Sequence, residues 1–142
     1  MLRLLIINGP NLNLLGVRQP EIYGARAFEE FLAELRLQFP HIALDYFQSN
    51  HEGALIDRLH QIGPDTQGVI LNAGALTHYS YALADAVGAI APPVIEVHIS
   101  NVYAREPFRR HSVLAPVCRG SIAGLGLDGY RLAILHLSDL AA

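Results

Sequence analysis

Short apolar runs alternate with helical stripes along nearly the whole chain. Apolar or alternating runs predict five strands, at residues 2–8, 42–48, 68–71, 93–97 and 116–122. Stripes at helical spacing predict helices at 25–39, 49–63, 79–90 and 130–140, with a short one at 105–111. This alternation predicts one α/β domain over residues 1–142. We expect a doubly wound, five-stranded parallel sheet in the flavodoxin-like order.

Two of the predicted helices begin near polar residues that could cap them. Ser49 and Glu52 have the spacing of a capping box at the start of the second long helix. Thr77 stands shortly before the third and could cap its first turn.

The fourth predicted strand runs into the most informative stretch, VIEVHISN at residues 94–101. Its period of two puts Glu96 and His98 on the same face of the strand. A carboxylate in that position can orient an imidazole and tune its charge, which suits a general acid or base. A buried histidine satisfied by a neighbouring acid gives the same pattern, so the other loops must decide.

The loops after the first, third and fourth strands are unusually polar or long. The first carries NGPNLN and RQPEIYG within residues 8–24, about 16 residues where two to six are usual, and we expect a lid at about 11–24. The others are NAGALTH at residues 72–78 and HISN at 98–101, followed by Arg105, Arg109 and Arg110. Each alone fits a surface loop, a plain turn or a solvated helix face. Because parallel sheets place their sites at the carboxyl ends of strands, three such loops together favour one shared site.

Composition narrows the chemistry further. The chain has 142 residues, a net charge of −3 and a hydrophobic share of 51%, and its ten basic residues are all arginine. Without lysine there is no Schiff-base or P-loop lysine, and the negative charge argues against a nucleic-acid partner. We expect no metal, because the histidines lack ligand spacing, and no membrane span. The high apolar share suggests subunit interfaces.

The N-terminal segment and the cysteine bear on the location of the protein in the cell. The chain starts directly in a strand pattern and not in a signal peptide, and Cys118 has no partner for a disulfide. Both features favour the cytoplasm. Cys118 could be a nucleophile, but a free cysteine in an apolar strand is usually part of the core.

One motif points to a function that we reject. Residues 124–129, GLGLDG, match the dinucleotide fingerprint, which needs a following strand and an acidic residue about 20 positions later. The sequence supplies neither, so we expect these glycines to allow close packing of a helix on a strand.

Two other functions of this fold also fit poorly. A signalling receiver needs acidic residues at the ends of strands one and three and a later lysine, whereas this chain has Asn8 and Asn72 there and no lysine. A flavin-binding electron carrier normally has a first loop rich in Ser or Thr, and NGPNLN has neither.

Six blocks of the sequence together resemble the type II 3-dehydroquinate dehydratases. They are NGPNLN (8–13), RQPEIYG (18–24), QSNHEG (48–53), LNAGALTH (71–78), VIEVHISN (94–101) and REPFRRHS (105–112). GLGLDGY (124–130) also recurs in that family. The resemblance implies a flavodoxin-like fold and no cofactor. It also implies a homododecamer built as a tetramer of trimers, and the dehydration of 3-dehydroquinate to 3-dehydroshikimate in the shikimate pathway.

The resemblance also implies roles for particular residues. Tyr23 would be the base that removes the C2 proton, and Arg18 would favour its phenolate form. Asn11 would help to hold the enolate. His98 would protonate the departing C1 hydroxyl, with Glu96 orienting it.

Further residues would bind substrate. Side chains that would contact its hydroxyls are Asn72, His78 and Arg109. The backbone amides of Ile99 and Ser100 would take the carboxylate, and Asp85 would reach in from a neighbouring subunit. The chain departs from the family at Gln19, Ala73, Tyr103 and Pro107, none of which has one of these roles.

Overall fold

The structure, a computed structural model, describes residues 1–142 and is built around one five-stranded sheet. The strands are β1 (Leu2–Asn8), β2 (Ile42–Gln48), β3 (Gly68–Asn72), β4 (Val94–His98) and β5 (Gly120–Ala123). Their order across the sheet is β2-β1-β3-β4-β5, and every neighbouring pair is parallel. The predicted flavodoxin-like order is confirmed.

Five α-helices connect or follow the strands. They are α1 (Pro20–Tyr23), α2 (Phe28–Gln38), α3 (Glu52–His60), α4 (Tyr81–Ala89) and α5 (Asp128–Ala141). Single 3₁₀ turns lie at Leu12–Leu14, Gly74–His78, Val102–Ala104, Pro107–Arg110 and Ala115–Val117. None of the helices combines the length and the apolar character needed to cross a membrane.

The sheet has a separate hydrophobic core on each face. Successive residues of β1 supply them alternately: Leu4 and Ile6 pack under α2 and α5, whereas Leu5 and Ile7 pack under α3 and α4. A strand buried on both faces has to be apolar throughout, which is why the first predicted strand was so clear in the sequence.

Both predicted helix caps are wrong. The Ser49 hydroxyl accepts a hydrogen bond from the His51 amide, 3.0 Å away, while the Glu52 carboxylate accepts one from the Ser80 hydroxyl. Ser80 caps α4 by accepting from the Leu83 amide at 3.1 Å. Thr77 lies fully buried inside a 3₁₀ turn, and its hydroxyl has no hydrogen-bond partner.

The predicted bounds also shift around the fifth strand. Residues 115–117 form a 3₁₀ turn, so β5 begins only at Gly120. Pro116 has no amide hydrogen to donate to a sheet, which explains the late start. The short helix predicted at 105–111 is a 3₁₀ turn over Pro107–Arg110.

Candidate active site

The predicted polar loops meet at the carboxyl edge of the sheet. Asn8, Asn72 and His98 are the last residues of β1, β3 and β4, and all three are buried. Asn8 is paired in register with Asn72, between β1 and β3, where the order in which strands are added to the sheet reverses. Parallel α/β folds place their ligand sites at this point.

The first and third loops pack backbone against backbone. A Cβ at Gly9 would lie only 2.7 Å from the carbonyl oxygen of Ala73, so only glycine fits there. Gly74 has a φ of +60° and lies against the carbonyl of Pro10. These contacts hold Asn11 at the mouth of the site, where its amide donates to Asn50 Oδ1 at 2.9 Å.

Glu96 and His98 form the hydrogen-bonded pair that the strand periodicity predicts. Glu96 Oε2 lies 2.8 Å from His98 Nε2, and Glu96 is 2% exposed. The hydroxyls of Ser112 and Ser121 also donate to the carboxylate, at 2.6 Å and 2.7 Å. Burial alone would raise the pKa of Glu96, but these three donors outweigh it and the pKa is lowered. The ionised carboxylate therefore accepts a hydrogen bond from the Nε2–H of His98, and Nδ1 is the ring nitrogen that remains available to the pocket.

His78 lies across from His98, with nearly parallel rings whose centroids are 6.4 Å apart. Its Nδ1 lies 2.7 Å from the carbonyl oxygen of His111, and because a carbonyl only accepts, Nδ1 carries the hydrogen. Burial lowers the pKa of His78, which favours the neutral ring. Its Nε2 is then a hydrogen-bond acceptor.

Tyr23, at the end of α1, lies close to two arginines. Arg105 Nη1 donates to the phenol oxygen at 2.7 Å and to Ser100 Oγ at 3.2 Å. The guanidinium carbon of Arg18 lies 5.3 Å from the centroid of the same ring. Both guanidinium groups therefore lie where negative charge on the phenol oxygen would be stabilised during a reaction.

These side chains lie around one cavity. Of the residues predicted from the sequence, those that line it are Asn11, Arg18, Tyr23, Asn72, His78, His98, Ile99, Ser100 and Arg109. Glu96 lies behind His98. Asp85 is exposed on α4 and does not line the cavity of its own chain.

Sequence reasoning missed three kinds of contact in this site. It named Arg105 only as one of three arginines after the fourth strand, whereas Arg105 makes the direct contact with the Tyr23 hydroxyl. It gave no role to Ser112 or Ser121, which hold Glu96, or to Tyr130, which bonds Asn72 from beneath. The sequence could have pointed to Arg105, because this residue begins REPFRRHS, one of the six blocks that carry the family resemblance.

Comparisons with known proteins agree on one family. The family model for "Dehydroquinase class II" matches residues 2–138. A protein of Anoxybacillus flavithermus named 3-dehydroquinate dehydratase is 56% identical, with 99% of this chain and 96% of that one covered. The protein of that name from Bacillus subtilis is 54% identical, covering 94% and 91%. The type II dehydroquinase structure from Butyrivibrio crossotus superposes with a TM-score of 0.93 at 46% identity, covering 96% and 97%.

The chain belongs to the class II dehydroquinase family. The sequence resemblance is thereby confirmed. The class II dehydroquinase fold found in the solved relative is also the fold predicted from the alternation of strands and helices.

The glycine-rich segment of this class II dehydroquinase packs as expected. A Cβ at Gly129 would lie 3.2 Å from Val97, so glycine lets the start of α5 approach β4 closely. The amides of Gly124 and Gly126 donate to the carbonyls of His98 and Ile99, at 3.2 Å and 3.0 Å. The segment thus supports the loop after β4.

The single cysteine of this class II dehydroquinase is not built for nucleophilic chemistry. Cys118 packs against the core under α4, and burial raises its pKa to about 12. A thiol that stays protonated near neutral pH is a poor nucleophile.

Proposed function

We propose that this chain dehydrates 3-dehydroquinate to 3-dehydroshikimate through an enolate, as a hydro-lyase of the shikimate pathway. Its relatives carry the name 3-dehydroquinate dehydratase. One observation assigns the steps to particular residues. Tyr23, which is paired with Arg105, and His98, which is paired with Glu96, line the same cavity. A β-elimination from a ketone needs one base and one acid near the same substrate.

The first step removes a proton. The Tyr23 phenolate takes the C2 proton, and the electron pair of that C–H bond moves to the C3 carbonyl oxygen as an enolate. Arg18 and Arg105 are the positive charges that lie beside the Tyr23 phenol, and an opposite charge stabilises a phenolate. Asn11 helps to hold the enolate oxygen.

The second step removes the hydroxyl. The enolate electrons form the C1–C2 double bond as the C1–O bond breaks, and His98 gives its proton to the departing oxygen, so water leaves. The Glu96 carboxylate stabilises the protonated imidazole before the transfer and fixes its direction. Solvent then takes the proton from Tyr23 and returns one to His98, so neither group is consumed.

The remaining pocket groups orient the substrate. Side chains assigned to its hydroxyls are Asn72, His78 and Arg109, and the amides of Ile99 and Ser100 face its carboxylate. The Nε2 acceptor of His78 suits a hydroxyl donor. Arg109 has its Nε on Glu106 at 2.9 Å, which fixes the guanidinium at the pocket wall.

We further propose one catalytic domain over residues 1–142, with a lid at about 11–24 that closes on the substrate. The enzyme needs no cofactor, works in the cytoplasm and assembles as a homododecamer, a tetramer of trimers. The exposed aromatic side chains Tyr81, Tyr103 and Phe108 support association of subunits beside the site.

Neither chelation nor borohydride should inactivate the enzyme. No group of three His, Cys, Asp or Glu side chains is placed to hold a metal, and the chain has no lysine for an imine. Full activity is therefore expected after exhaustive chelation, and after treatment with borohydride in the presence of substrate. Activity lost on chelation and restored by a metal would contradict this route, and so would borohydride inactivation with substrate attached covalently.

Asp85 is proposed to complete the active site of a neighbouring subunit. It lies exposed on α4, pointing away from Leu83 and Val87, which are buried in its own core. A contact between two different surfaces on neighbouring copies of the chain can close into a ring, as in a trimer. Asp85→Ala should lower kcat/KM by about 10-fold or more, the usual worth of a hydrogen bond to a charged group. The exposed acid Asp57 on α3 is a matched control, and Asp57→Ala should have no effect.

Mixing two damaged subunits tests whether Asp85 acts across the boundary. Tyr23→Phe and Asp85→Ala subunits, unfolded together and reassembled, should regain activity. In such a mixture some sites receive Tyr23 from one chain and Asp85 from the other. If Asp85 acted only within its own chain, every site would keep one defect and the mixture would stay as inactive as its parents.

A further inference from the structure

A fully buried tyrosine lies beneath the pocket, and the reaction steps do not use it. Tyr130 is in the first turn of α5 and is 0% exposed. Its hydroxyl donates to Asn8 Oδ1 at 2.7 Å and accepts from Asn72 Nδ2 at 3.0 Å. It therefore joins the ends of β1 and β3 and touches a pocket residue from the side away from the substrate.

The two ends of the Asn72 amide meet different partners. Its Nδ2 donates to the Tyr130 hydroxyl, and its Oδ1 accepts from the Gly74 amide at 3.2 Å. In the flipped amide, Nδ2 would face the N–H of Gly74, and two donors would oppose each other. Oδ1 would face a hydroxyl whose proton is already given to Asn8. Only the observed orientation of the Asn72 amide gives a hydrogen-bond partner to its Oδ1, to its Nδ2, to the Gly74 N–H and to the Tyr130 oxygen.

We infer that Tyr130 is a positioning residue that fixes the orientation of the Asn72 amide for substrate binding. This inference rests on the proposed function, in which Asn72 contacts a substrate hydroxyl. With one Nδ2 hydrogen and one Oδ1 lone pair committed to the protein, the other hydrogen and lone pair point in set directions toward the substrate. The GLGLDGY segment then has a second use, since its glycines support the loop after β4 and its tyrosine sets a pocket side chain.

The chemistry of a buried phenol suits this task. Burial raises the pKa of Tyr130, so the hydroxyl stays neutral and donates to Asn8 across the neutral pH range. Aromatic contacts hold the ring itself, since Phe28 and Phe31 lie edge-on at centroid distances of 5.0 Å and 6.1 Å. The hydroxyl thus has little freedom to follow Asn72 if the amide turns.

Tyr130→Phe removes the hydroxyl and keeps the ring. We expect kcat/KM for 3-dehydroquinate to fall about 10- to 100-fold, as a misplaced positioning group costs. The loss should divide between kcat and KM in the same way as the loss caused by Asn72→Ala. Tyr46→Phe is the matched control, because that hydroxyl contacts Asn8 at 3.4 Å and does not touch Asn72. It should leave both constants near wild type.

A double-mutant cycle separates positioning from general support of the fold. If Tyr130 acts through Asn72, adding Tyr130→Phe to Asn72→Ala should cause no further loss of kcat/KM. The same fold-loss in both backgrounds would overturn the inference, as would normal activity in Tyr130→Phe. If Tyr130→Phe does not fold, a ring-fluorinated tyrosine at position 130 keeps the hydroxyl but weakens it as an acceptor. A graded loss of kcat/KM is then expected, and an unchanged value would overturn the inference.

The wild-type rate distinguishes failure of this inference from failure of the proposed function. An active wild type with an insensitive Tyr130→Phe overturns the positioning role alone. A folded wild type that does not act on 3-dehydroquinate overturns the function.

Discussion

Tyr23→Phe is expected to remove nearly all turnover, a loss of about 10²- to 10⁴-fold or more, as for other positioned acid–base groups. The phenol oxygen is the only atom removed, and Arg105 is its hydrogen-bond partner, with Ser100 still available to that arginine at 3.2 Å. The fold and the oligomer should therefore stay intact while the proton transfer from C2 is lost.

Steady-state rates on 3-dehydroquinate, together with circular dichroism and light scattering, check this prediction. Tyr79→Phe is the control, because Tyr79 is 61% exposed and has no role in the reaction. Should Tyr23→Phe keep a rate within a few fold of wild type, another group must take the proton.

The two arginines beside Tyr23 can be compared in the same assay. A cation beside the phenol stabilises negative charge on its oxygen, so removal of the cation should leave a residual activity that needs a higher pH. We expect this shift for Arg18→Ala and a large loss for Arg18→Lys, which keeps the charge but not the planar fork. Since Arg105 makes the direct 2.7 Å contact, Arg105→Ala should shift the profile at least as far. An unshifted profile and near-native turnover in Arg18→Ala would show that Arg18 does not tune this base.

His98→Ala should reduce turnover by about 100-fold or more, the usual worth of a positioned proton donor. Substrate affinity should change far less, because the proton transfer is made mainly in the transition state. The measurement is the division of the loss between kcat and KM, with the exposed His60→Ala as the control. A variant with near-normal kcat and a raised KM would make His98 a substrate-binding residue instead.

Glu96→Gln extends the test to the group behind His98. The substitution removes the negative charge and puts an NH₂ group where the carboxylate now accepts from His98, Ser112 or Ser121. We expect a smaller loss of kcat than in His98→Ala, because the imidazole remains. A loss larger than that of His98→Ala would mean that Glu96 has a part in the reaction beyond orienting the histidine.

The sequence predicted the framework well, because the framework follows from local periodicity. Alternation along β4 placed Glu96 and His98 on one face, and the 2.8 Å contact between them confirms it. The apolar runs of β1 and β3 likewise predicted where Asn8 and Asn72 would end their strands. Period and strand order were enough to bring these groups to one edge of the sheet.

Contacts between residues far apart in the sequence could not be predicted from its local patterns. Tyr130 bonds Asn72 and Asn8 across 58 and 122 positions, and no local signal reports such a pairing. Arg105 reaches Tyr23 across 82 positions, and the family resemblance implied only Arg18 as the arginine beside this tyrosine. The cap predicted at Thr77 was wrong for a related reason. A polar residue shortly before a helix looks like an N-cap in the sequence, but Thr77 lies inside a 3₁₀ turn and Ser80 is the N-cap of α4.

The appearance of the conjugated enone is the most direct test of the whole account. Purified chain mixed with 3-dehydroquinate should produce the ultraviolet absorbance of 3-dehydroshikimate, at a rate proportional to enzyme concentration and unchanged by prior chelation. The folded Tyr23→Phe protein should give almost none. If the folded wild-type chain produced no absorbance above the enzyme-free control at any pH at which it stays folded, the proposed dehydration at this site would be contradicted.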